Sequence, residues 1–192
     1  MSKIIVDTIE HSDGTVFNSS EFVKILDIDN ISGVSSYHIT STYINSTYNN
    51  YLILAHFKPV SGGTYLYSDA FSGGVAVDSG NAYGRYVREV GSGSVWNSDN
   101  QDELVLYNYS TIGNSTGEGI TVNAMLQQTN PTTIPVSITG TSTYLTNAGP
   151  IETANFGGSM GGGASSNVIN GLNFYFNSGN ISTGRIKLYG IK

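Results

Sequence analysis

"NISTGRIKLYGIK", residues 180–192, closes the chain, and its reading decides the fold. Ile186, Leu188 and Gly190 fall on one side, and Lys187, Tyr189 and Ile191 on the other. This is the period-two alternation of a β-strand, sustained to within one residue of the C-terminus. Chain ends commonly trail into polar residues that nothing holds down. Here the alternation predicts a terminal strand over Gly184–Ile191, inside a sheet and hydrogen-bonded along both edges.

Upstream, candidate strands recur at short, even spacing. They are Glu21–Ile28, Ser36–Thr42, Tyr51–Pro59, Thr64–Ala70, Ala82–Val90, Glu103–Tyr109, Ile120–Gln127, Pro135–Tyr144 and Asn170–Phe176. Ser-Gly-Gly at 61–63 and 72–74, Gly-Ser-Gly at 91–93 and Gly-Asn-Ser-Thr-Gly at 113–117 punctuate them with turn chemistry. Many short strands so punctuated predict an all-β protein, a β-sandwich of jelly-roll type over residues 20–192. A single helical turn is expected around Ser19–Lys24, with Ser20 as its cap. FGGSMGGGASSN (156–167) reads as a surface loop. It is no phosphate cradle, because a strand-like stretch follows it where a helix N-terminus would be required.

The opening stretch, KIIVDTIEHSDGTVF (3–17), reads as strand, Asp-Gly turn, strand. Such a hairpin is too small to be stable alone, and Ile5, Ile9, Val16 and Phe17 need a partner surface. Residues 1–19 are therefore expected to be an attachment or oligomerisation segment, separate from the 20–192 domain.

Composition agrees with an all-β chain. Gly numbers 24 and Tyr 13 of 192 residues, charged residues are only 11%, and apolar content of 39% suffices for one core. A net charge of −6, with eight scattered Lys and Arg, excludes a surface built for a phosphate backbone, so no nucleic-acid partner is expected. Cysteine is absent, which removes disulfides and thiolate metal sites. No basic and then apolar leader opens the chain, and no apolar run approaches the roughly 18 residues of a membrane helix. The expectation is a soluble protein made in a cytoplasm without a signal peptide, with no membrane insertion.

Catalytic patterns are missing. His11, His38 and His56 lack ligand spacing, so no metal is expected. DIDN (27–30) lacks the remaining ligands of a calcium loop and reads as an edge or turn. Gly157-Gly158-Ser159-Met160-Gly161 is off register for a nucleophile elbow. Asp99, Asp102 and Glu103, beside Trp96, are the only acids that fit a glycosidase pair, and the alternative is a solvated turn before a strand. No catalytic residue, cofactor or metal ligand is assigned. Tyr43, Tyr48, Tyr51, Tyr65, Tyr67, Tyr83, Tyr86, Tyr107 and Tyr109 fit either a recognition surface or simple strand preference.

The closing stretch NVINGLNFYFNSGNISTGRIKLYGIK (167–192) resembles the C-terminus of jelly-roll proteins in tailed phages of marine bacteria and cyanobacteria. STYINSTYNNYLILAHFKPVSGG (41–63) is similar to an early strand of that family, and IIVDTIEHSDGTVF (4–17) to its opening element. Residues 75–165 match no part of it. The resemblance implies a non-enzymatic virion protein, usually trimeric: a tail fibre, a head fibre or a capsid decoration protein. It implies attachment through residues 1–19 to a tail adaptor, nozzle or capsid, with the sandwich facing outward to host surface glycan. Receptor-binding residues are not assigned by it. Trp96 is the foremost candidate for a sugar platform, a core position being the alternative. A glycan depolymerase remains the enzymatic alternative.

Overall fold

The computed structural model describes residues 9–10, 16–17, 21–77, 83–89, 95–101, 103–106, 110–127, 129–130, 136–160 and 168–192. The strands are β1 (Ile9–Glu10), β2 (Val16–Phe17), β3 (Phe22–Val34), β4 (Ser36–Ile39), β5 (Asn50–Pro59), β6 (Leu66–Ser72), β7 (Val75–Ala76) and β8 (Tyr83–Glu89). They continue as β9 (Val95–Gln101), β10 (Leu104–Val105), β11 (Ile120–Gln127), β12 (Val136–Leu145), β13 (Ile151–Met160), β14 (Gly171–Phe176) and β15 (Ile181–Ile191). No helix occurs among the described residues. The protein is all-β.

β1 and β2 pair antiparallel, with Ile9 opposite Phe17, as a hairpin requires; the expected strand residues 3–8 and the turn residues 11–15 lie outside the described residues. The remaining strands make two antiparallel sheets. The larger runs β3-β15-β5-β11-β12-β13-β8-β9, and the smaller β10-β6-β14-β4, with β7 folded onto the end of β6. Alternation decides which way each strand faces. β5 buries Tyr51, Ile53, Ala55, Phe57 and Pro59 and turns Leu52, Leu54, His56 and Lys58 to the other side. β11 repeats this with Ile120, Val122, Ala124 and Leu126 inward. The smaller sheet answers with Leu66 and Ala70 from β6 and Leu172, Phe174 and Phe176 from β14. The Phe57 and Phe174 rings, one from each sheet, lie 5.4 Å apart, so the sheets pack face to face. Each fully buried Ile, Leu, Val or Phe among them contributes about 1.5–3 kcal/mol by leaving water.

The terminal strand lies where its alternation requires. β15 pairs with β3 along one edge and β5 along the other. Ile186 and Leu188 are fully buried, and the strand begins at Ile181, three residues before the expected start. DIDN falls within β3, the outermost strand of the larger sheet, in line with its reading as an edge.

Three expectations are corrected. Ser19–Lys24 makes no helical turn from Phe22 on, because Phe22 and Val23 pair with Ile191 and Gly190 and tertiary pairing overrides local propensity. Phe156–Met160 is not loop but the second half of β13, a strand the glycines concealed. Gly140 stands opposite Phe156, and a side chain there would meet that ring at 2.7 Å; the aromatic covers the glycine across the strands. Residues 95–101 also form an unexpected strand, while the one expected over Glu103–Tyr109 is described as a strand only at Leu104–Val105. Residues 107–109 and 161–167 lie outside the described residues.

Candidate functional site

The sandwich has two unlike ends. At one, the Lys192 amide donates to the Glu21 carbonyl at 3.0 Å, so the chain enters and leaves side by side. The loop 40–49 sits at the same end. Tyr51 pins it: its hydroxyl donates to the Asn45 carbonyl at 2.7 Å and accepts from the Asn45 amide at 2.9 Å.

The other end is a set of interlocked connections. Val60 N–H donates to the Asn180 carbonyl, the Asn180 amide side chain to the Gly33 carbonyl, and the Asn114 amide to the Val60 carbonyl at 2.8 Å. Gly63 N–H reaches the Ile112 carbonyl, and Asn147 N–H the Thr111 carbonyl. Thr64 Oγ1 donates to Asn177 Oδ1 at 2.6 Å, and the same oxygen accepts from Tyr65 N–H. Ser115 N–H donates to Glu118 within the 113–118 turn. Gly33, Gly63, Gly117, Gly119, Gly149 and Gly179 all have positive φ here, a conformation that side chains resist. Asn, Thr, Ser and Gly thus build a polar tip cross-braced by hydrogen bonds.

A depression of about 210 Å³ opens on the outer face of the larger sheet. Its lining comes from four adjacent strands: Asp29 of β3; Arg185 and Lys187 of β15; Leu54, Ala55 and His56 of β5; Thr121 and Asn123 of β11. Register places Arg185 and Thr121 on either side of His56, and Lys187 and Asn123 on either side of Leu54. His56 Nδ1 lies 3.1 Å from Thr121 Oγ1. Burial, and then the Arg185 guanidinium, push the His56 pKa below the ordinary histidine value. Asp27 takes Lys24 at 2.8 Å and Lys187 at 3.3 Å, and the Lys24 hydrogen bond above all holds its carboxyl below the usual range. Arg185 has no ion-pair partner among the described residues.

The residues singled out by sequence are dispersed. His38, in β4, stacks on Phe71 with ring centroids 4.2 Å apart, and burial lowers its pKa. The residue nonetheless remains exposed, the contact with Phe71 covering only part of it. Asp99 lies in β9, where a register shift leaves Asp99 and Asn100 opposite Gly84; it belongs to a bulged strand and not to a polar turn. Glu103 is a half-buried bend residue, and Asp102 and His11 lie outside the described residues. Trp96 pairs with Val87 through its backbone, and its side chain is outside the described set, as are those of Tyr83, Tyr86, Tyr107 and Tyr109. Tyr51 is fully buried, and Tyr43, Tyr48, Tyr65 and Tyr67 pack partly against the core. Tyr51 serves the scaffold, while the other four keep part of their surface exposed. No group of three His, Asp or Glu among the described residues could hold a metal ion. Sequence reading missed the depression, since its residues converge only through strand order. The one signal available was the outward register of Arg185 and Lys187.

Comparison of the chain with family models, with curated proteins and with solved structures finds no match in any of the three.

Proposed function

We propose that the chain is a non-enzymatic structural protein of a tailed-phage virion. It is a trimeric fibre or fibre-like appendage attached through residues 1–19 and presenting its sandwich to the host surface. The polarity of the sandwich carries this reading. The chain enters at the end where Glu21 and Lys192 meet, and the glycine- and asparagine-built tip stands at the opposite end. A rigid scaffold that exposes polar loops far from its attachment is suited to surface contact. The finer fold proposed is a jelly roll. In support, β3, β15, β5 and β11 are consecutive in one sheet and β4, β14, β6 and β10 in the other; β3 to β6 alternate between the two sheets, and the last strand returns beside β3.

The ligand proposed is host glycan, bound weakly per site and strengthened by several copies. Purified protein is expected to elute as a trimer and to slow phage adsorption by competition. A 20.4 kDa monomer at micromolar concentration in light scattering would remove the trimer. Failure to compete, together with fragile particles when the protein is missing, would move it to capsid decoration. Glycan turnover lost on Ala substitution of Asp99, Asp102 and Glu103 would make it a depolymerase.

A further inference from the structure

We propose that the depression on the outer face of the larger sheet binds an acidic sugar, a hexuronic acid residue whose carboxylate meets Arg185. The inference rests on the glycan-contact reading above and names the sugar class and the place.

Charge placement points there first. The chain carries −6 overall, yet four of its eight Lys and Arg (Lys24, Lys58, Arg185 and Lys187) project from the neighbouring strands β3, β5 and β15. Asp27 engages Lys24 and Lys187. Arg185 keeps its five donors unclaimed by any carboxylate among the described residues, in the planar fork that matches a carboxylate in two parallel bonds.

The rest of the lining suits a sugar better than a bare anion. Leu54 offers an apolar surface to the C–H face of a ring, and Thr121 and Asn123 stand beside it for hydroxyls. Asp29, on β3 beside Arg185, lines the side away from Thr121 and Asn123. A carboxylate there accepts hydroxyl hydrogens from a sugar, and it repels a multiply charged phosphate more strongly than a singly charged uronate. Thr121 fixes the orientation of the His56 ring. At about 210 Å³ the depression is smaller than a drug-sized pocket and takes one ring.

The test is a titration of the intact chain with sodium glucuronate and sodium galacturonate, followed by amide NMR shifts at constant ionic strength. Glucose and inorganic phosphate serve as comparisons. Saturable shifts confined to residues 54–56, 121–123 and 185–187, with Kd in roughly the millimolar range, are expected from one or both uronates. Arg185→Gln is expected to weaken binding about tenfold with an unchanged thermal midpoint, and Arg185→Lys less. Asn123→Ala, on another strand, tests the hydroxyl contacts if the Arg185 variants fold poorly. No saturable shift, an equal response to glucose or phosphate, or undiminished binding by folded Arg185→Gln or Asn123→Ala overturns the assignment. Protein that binds neither uronate yet blocks adsorption loses only this site. Protein that binds one yet leaves adsorption unchanged keeps the site and loses the host-contact reading.

Discussion

Gly190 has no side chain because Tyr48 occupies the space. A Cβ there would lie 2.5 Å from the Tyr48 ring, which itself meets Tyr51 edge-on at 6.0 Å. Gly190→Ala is therefore expected to destabilise the protein by about 1–3 kcal/mol through overpacking. Denaturant melts should show Tyr48→Ala recovering part of that loss in the double variant, since contacting residues couple. Tyr51→Phe leaves the ring packed but strips both bonds to Asn45, and about 1–2 kcal/mol should go with them. The histidines set a pH response. Burial lowers the pKa of His38, and burial with Arg185 that of His56, so the unfolded chain takes up protons first as pH falls. Their contribution is complete above about 6.5, the unfolded value, and is lost as pH drops through the lowered folded values. Stability measured by denaturation from pH 8 downward should decline across that window and decline less in His56→Gln. Stability that rises as pH falls through it would refute the assignment. NMR titration of Arg185→Gln should place the His56 pKa above its value in the unaltered protein.

At the scale of elements, β15 ties the first long strand to the body of the larger sheet, because β3 pairs with β15 and β15 with β5. Ending the chain before Gly184 would strip Ile186 and Leu188 from the core and leave most of β3 without its ladder. Soluble expression of that truncation is expected to fail. A soluble, cooperatively melting product would show that the strand is dispensable. β13 is held at its start by a different device: Glu152 accepts from Ser110 at 2.6 Å and from Tyr144 at 2.9 Å, tying the strand to its neighbour β12 and to residue 110. Phe156→Ala should cost about 3–5 kcal/mol, since it opens a cavity and uncovers Gly140.

For the molecule as a whole, antiparallel winding brings entry and exit together at one end and places six of the eight positive-φ glycines among the described residues at the other. Cross-linking engineered cysteines near Glu21 and Lys192 should be compatible with the native state, while a bulky label at the exposed Thr116 or Asn147 should block surface binding without altering the melt. Sequence by itself determined the class, because period-two burial and turn residues are local properties. It determined the terminal strand for the same reason, with Lys187 on the face opposite Ile186 and Leu188. It misread Phe156–Met160 and Val95–Gln101. Those strands carry glycines or polar residues that are weak strand formers alone, and they exist because β12 and β8 supply ladders for them. Only the tertiary structure decided that Tyr51 is core rather than recognition surface. It alone set the depression, since Asp29, His56, Thr121 and Arg185 become neighbours through the order β3-β15-β5-β11. That order is fixed by non-local pairing and inter-sheet packing, which no single stretch of the chain encodes.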